Sequence, residues 1–113
     1  MALVAAFFSS SYAEAREKFL AALEAGGGRL LESAENPNKG PGDGRLFTDV
    51  GRIGPGDAKK ILVLTSATHG IEGYCGSGCQ IGWLAKHHYW RDATPDVAVY
   101  LVHAMNQIGR AHV

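Results

Sequence analysis

Two unbroken apolar runs constrain this chain more than any other feature. Lys60-Ile61-Leu62-Val63-Leu64-Thr65 and Val97-Ala98-Val99-Tyr100-Leu101-Val102 are both made of β-forming residues with no polar alternation. Continuous apolarity of this length predicts strands buried on both faces, as in the sheet of an α/β protein, rather than strands with one wet face. Between them, residues 75–89 carry Ile81, Trp83, Leu84 and His88 in a stretch that reads as a crossover helix, and Pro95 marks the loop that follows. Strand, helix and strand predict a βαβ unit over Lys60 to His103 with parallel, right-handed connection.

The preceding half supplies a helix and a hairpin. Tyr12–Ala25 is rich in Ala, Glu, Leu, Arg and Lys, and Tyr12, Phe19, Leu20 and Leu23 fall on one helical face. Ser11 with Glu14 fits a capping box, and Gly26-Gly27-Gly28 supplies the stop. Residues 29–35 and 45–53 are candidate strands around a segment, residues 36–44, whose Asn, Pro, Gly and Asp content describes a turn region, so an antiparallel hairpin is expected. The fold class predicted from these elements is α/β, in one domain, since 113 residues suit no more.

Charge and composition narrow the function. Eleven basic and eleven acidic side chains cancel, and no basic run is present, so the electrostatic footprint of a nucleic-acid or anionic-membrane partner is missing and neither is expected. The apolar stretch at residues 2–8 is far shorter than the roughly 20 residues of a membrane span, and it lacks the positive start of a signal peptide, so it is read as part of the folded chain and a cytoplasmic location is expected. Cys75 and Cys79 make no disulfide framework; spaced four apart at a helix start, they are expected to be free thiols packing that helix on the sheet.

Chemistry is expected directly after the first buried strand, because open α/β sheets bind ligands beyond the carboxyl ends of their strands. There stands Thr65-Ser66-Ala67-Thr68-His69-Gly70-Ile71-Glu72-Gly73. His69 and Glu72 offer an imidazole and a carboxylate, donor types zinc accepts, and Gly70 and Gly73 let the backbone turn sharply enough to aim both at one point. The same residues would be ordinary at a helix N-terminus, where a carboxylate is favoured by the helix dipole. A phosphate cradle over Gly70, Gly73, Gly76 and Gly78 is the weaker rival, since neither Gly-x-Gly-x-x-Gly nor a P-loop ending is present. His87 and His88 are adjacent, do not face one another on a helix, and suit the negative end of the helix dipole. His103, at the carboxyl end of the second strand, is a candidate to line a pocket, or else a satisfied core histidine.

A family likeness runs through the chain. Ser9-Ser10-Ser11-Tyr12-Ala13-Glu14-Ala15-Arg16, Gly40-Pro41-Gly42-Asp43-Gly44, Thr48-Asp49-Val50, Ile53-Gly54-Pro55 and Leu62-Val63-Leu64-Thr65-Ser66-Ala67-Thr68-His69-Gly70-Ile71-Glu72-Gly73-Tyr74-Cys75-Gly76-Ser77-Gly78 with Gln80 resemble the domain-of-unknown-function 2817 family up to Asn106. That family looks like a branch of the zinc carboxypeptidase superfamily. The resemblance implies the amino-terminal part of a mixed-sheet zinc carboxypeptidase-like (phosphorylase/hydrolase-like) fold, with His69 and Glu72 as the first two zinc ligands and a histidine much further along as the third. The implied activity is zinc-dependent hydrolysis of peptide or amide bonds, with His103 and Asn106 as substrate-pocket candidates at the edge of the site.

Two rivals remain. One is an N-acyl amino acid deacylase of the succinylglutamate desuccinylase and aspartoacylase type, which resembles this site through a similar His-Gly-x-Glu; the other is a metal-free binding module on the same fold. Family members continue for over a hundred residues with the third ligand, a substrate-binding arginine and the catalytic glutamate, so residues 1–106 are expected to be the amino-terminal part of one truncated domain, inactive as it stands. Gln107 replaces the family's Pro, and Ile108-Gly109-Arg110-Ala111-His112-Val113 matches a translated sequencing-library adapter, so residues 107–113 are expected to be a non-native tail in which Arg110 and His112 have no function.

Overall fold

The first helix begins where its sequence says. Ser11, in extended conformation, accepts a hydrogen bond from the Glu14 amide through its hydroxyl (3.2 Å), satisfying one of the donors a helix start leaves over. Helix α1 then runs Tyr12–Ala25, and Tyr12, Ala15, Phe19 and Leu23 form its buried stripe. Its end is a Schellman closure: the Gly27 amide donates to Glu24 O (3.1 Å) and the Gly28 amide to Leu23 O (2.8 Å), with Gly27 at φ +79°.

The computed structural model describes residues 4–68, 73–87 and 95–106. After α1 come β1 (Arg29–Glu35), β2 (Phe47–Ile53), β3 (Lys60–Thr65), α2 (Gly73–Lys86) and β4 (Val97–His103). The four strands form one mixed sheet in the order β1-β2-β4-β3. β1 and β2 are the expected antiparallel hairpin, closed by the Asn36 amide on Leu46 O (2.8 Å) and by Arg45 gripping the Glu35 carboxylate with two bonds. β4 inserts antiparallel against β2, placing His103 opposite Asp49, and parallel to β3, placing Val102 opposite Thr65. The architecture is therefore α/β, with the parallel strand pair that the two apolar runs predict.

Both helices cover the same face of the sheet. Phe19 and Leu23 from α1, Ile81 and Leu84 from α2, and Ile53, Val99 and Leu101 from the strands make one core cluster, all 5 % exposed or less. Burying a side chain such as Phe19 contributes about 1.5–3 kcal/mol. A second cluster of Tyr12, Leu46, Ala67 and Ala104 lies toward the carboxyl ends of the parallel strands, where the Tyr12 hydroxyl donates to Phe47 O and accepts from the Phe47 amide, each at 2.7 Å.

Two expectations about burial fail. β3 is not buried on both faces: Ile61 is 62 %, Leu62 44 % and Val63 51 % exposed. β3 is the edge of the sheet, and the two described helices lie together on one side, so Ile61 and Val63 on the outer face have no cover among the described residues. Leu62, on the helix side with Leu64, is only partly covered because the strand lies at the sheet's edge. Cys75 and Cys79 are free thiols, yet both are exposed and pack nothing on the sheet. The inward stripe of α2 is Gly73, Ser77, Gln80, Ile81 and Leu84, and the 3.6-residue period turns both cysteines away from it.

Candidate functional site at the carboxyl ends of the parallel strands

His69 and Glu72 lie outside the described residues, as does His88. The structure describes the residues before and after 69–72 in the chain, 66–68 leaving β3 and 73–77 opening α2, and the neighbouring residues 103–106 leaving β4.

The chain leaving β3 and the chain leaving β4 stay bonded past the sheet. Ser66 N donates to Val102 O (3.0 Å), Met105 N to Ser66 O (2.9 Å) and Asn106 N to Ala67 O (2.8 Å). Side chains add to this zip, since the Ser66 hydroxyl accepts from the Ala104 amide (3.1 Å) and the Asn106 carboxamide reaches Thr68 O at 3.4 Å. Inside it, Ala67 (φ 59°) and Ala104 (φ 62°) both occupy the left-handed region. An L-residue there costs roughly 1–2 kcal/mol, and such strain persists where the surroundings over-determine the backbone, which is common at binding and catalytic sites.

Helix α2 is fastened to both strands at the same end. Gln80, 4 % exposed, donates from Nε2 to Leu64 O (2.9 Å) and to Val102 O (3.2 Å), tying one helix side chain to the two parallel strands. Ser77 Oγ and His103 Nε2 are 2.8 Å apart in a buried hydrogen bond, and the His103 ring stacks on Phe19 with centroids 4.5 Å apart. Gly76 passes so near Ser66 that an added Cβ would stand 3.0 Å from the Ser66 Cβ. Thr68 and Gly73, the described residues on either side of 69–72, thus belong to one packed unit.

His103 is fully buried and faces the helix layer, as a core histidine does, whereas Asn106 is exposed at the rim. A cleft with a volume of about 480 Å³ runs from Ser10 and Tyr12 to Arg45 and is lined at α2 by Tyr74; neither His103 nor Asn106 borders it. His87 takes a different place from the one expected. Its Nε2 lies 2.8 Å from Gly26 O and its ring stacks on Trp83, so it meets the carboxyl end of α1 rather than that of its own helix.

The sequence reading passed over a second polar group. Asp49 is fully buried on β2, accepts from Arg16 Nε (2.8 Å) and Nη2 (3.1 Å), and accepts from the Ser33 hydroxyl (2.6 Å). The Asp49 carboxylate raises the Arg16 pKa above its ordinary value, mainly through this hydrogen bonding. The available signal was positional: Asp49, Gly51 and Ile53 alternate onto the covered face, and an acid there demands a cation. Among the described residues no three His, Cys, Asp or Glu side chains cluster closely enough to hold a metal, and no helix is long and apolar enough to cross a membrane.

Residues 8–113 match the model of a family described as protein of unknown function, DUF2817, and the chain belongs to that family. No curated protein matches it.

Proposed function

We propose that the chain carries the first two ligands of a zinc site, His69 and Glu72, in a carboxypeptidase-like hydrolase of peptide or amide bonds. The observation supporting this reading most is the zipped end of β3 and β4: hydrogen bonds past the sheet, two left-handed alanines and the Gln80 and Ser77 ties of α2 hold Thr68 and Gly73 on either side of the ligand pair. A site whose ligands differ by only two intervening residues needs such a fixed frame, because geometry within fractions of an ångström decides metal affinity.

The donor chemistry fits zinc, while the donor count does not complete it. An imidazole and a carboxylate are accepted zinc ligands, but catalytic sites use three protein ligands. The third ligand and the general base are therefore assigned to the longer parent that the family resemblance implies. Zinc, when bound, supplies Lewis-acid polarisation of the scissile carbonyl. Asn106, exposed and bonded to Thr68 O, presents its carboxamide to a substrate polar group, and His103 acts from beneath, holding the first turns of α2 to β4 through Ser77.

Metal analysis of the dialysed parent tests the reading. One zinc per chain, lost in His69→Ala and in Glu72→Gln, is expected, and the 113-residue chain alone is expected to hold none tightly. Unchanged zinc in His69→Ala, or a stoichiometric zinc in the short chain, overturns it. Hydrolysis of N-acyl amino acids in preference to peptides would move the parent to the deacylase class, and a parent without zinc would leave the binding module.

A further inference from the structure

We propose that Cys75 and Cys79 form a two-thiolate site for a soft univalent cation, Cu(I), on the solvent face of α2. Cysteine is among the most consistently buried residue types, so a pair of exposed thiols on one helix face is the anomaly that calls for a role. Four residues apart on a regular helix, their Cβ atoms stand about 5–6 Å apart. That is too far for a disulfide, which needs roughly 3.5–4.5 Å between Cβ atoms. It suits one ion held between two sulfurs, because two metal–sulfur bonds of about 2.3 Å let the sulfurs stand up to roughly 4.6 Å apart. Burial first, then the charge and hydrogen bonding of Cys75, push the Cys79 thiol above its ordinary pKa, so the ion must displace a proton that is held more firmly than usual and binding should tighten as pH rises.

The ligand set selects the metal. Zinc takes three or four protein ligands, whereas the pair by itself supplies two, both of them thiolates. Soft thiolates favour Cu(I), which is content with few ligands. On binding, both S–H bonds break and both protons pass to solvent, two Cu–S bonds form, copper remains univalent, and the centre carries one negative charge. Cys75 lies in the first turn of α2, where the positive end of the helix dipole favours that charge.

The test is an anaerobic titration of the full chain, at micromolar concentration, with Cu(I) in competition with a chromophoric Cu(I) chelator, followed by alkylation of the remaining thiols. One Cu(I) per chain is expected, with both thiols protected together. Cys75→Ser and Cys79→Ser should each weaken binding at least 100-fold, the order of gain a second tethered ligand brings. Both side chains are exposed, so circular dichroism of the variants should match the parent. Equal affinity in the parent and either single variant, or half a copper per chain in a copper-bridged dimer, overturns the proposal.

Discussion

Replacing Asp49 by Asn keeps the side-chain shape and removes its charge, which isolates what the buried carboxylate does. Asp49 has no exposed surface and accepts three hydrogen bonds, two from Arg16 and one from Ser33. Removing one partner of a buried ion pair costs about 3–5 kcal/mol. The Arg16 side chain is 25 % exposed, so water recovers part of the loss and the low end, about 3 kcal/mol, applies. Against a total stability of about 5–15 kcal/mol this is a large fraction. In urea, with a slope of about 1.5 kcal/mol/M, the midpoint should fall by about 2 M.

The sharper comparison is Asp49→Leu combined with Arg16→Met. Met keeps an apolar stem over the Phe47 ring, which the Arg16 guanidinium now covers at 4.0 Å. Because the double variant strands no charge, it should be more stable than Asp49→Asn, although it removes more polar contacts. Chemical denaturation followed by circular dichroism reads both. A loss below about 1 kcal/mol in Asp49→Asn, or a double variant less stable than the single, would refute the view that the buried charge depends on its partner.

Three further outcomes are expected. The open edge and outer face of β3 should make the chain associate with rising concentration, and Ile61→Lys with Val63→Lys should shift sedimentation toward monomer; equal association in both would show that the edge is not the cause. Arg45, by hydrogen bond and charge, holds the Glu35 carboxyl down at about 2, so the hairpin contribution of this pair is present above the ordinary carboxylate range near 4.5 and fades as pH falls toward 2. The pair is exposed and screened, so an NMR titration should find the Glu35 midpoint rising in 0.5 M salt and in Arg45→Ala, whereas a midpoint indifferent to both would dismiss the pairing. Gly27→Ala should cost about 1 kcal/mol by thermal melting, through backbone alone, since an added Cβ at φ +79° meets nothing within 4 Å; a neutral change would contradict the Schellman geometry.

How much was legible depends on whether the signal is local. Ser11 and Gly26-Gly27-Gly28 bracket α1 at Tyr12–Ala25 because caps satisfy orphaned backbone groups within a few residues of themselves. Of the candidate site, the place was legible and the inner supports were not: Gln80, Ser77 and Asp49 are polar residues in apolar surroundings, and only their partners on other elements, Val102, His103 and Arg16, give them a reason to be buried. His103 shows the converse, because its position at a strand end suggests a pocket, while the pleat alternation turns it onto Phe19.

The two apolar runs mark the division most clearly. Composition alone made both of them strands, since β-branched and aliphatic residues without turn formers favour extended backbone wherever they lie. Their burial was decided elsewhere. β4 is inserted between β2 and β3 and is buried at Ala98, Val99, Leu101 and His103, whereas β3, of equal apolarity, is left at the edge with Ile61 and Val63 open. Strand order is a property of how the α2 crossover and the hairpin meet, through contacts far apart in the chain, and no window of sequence contains it.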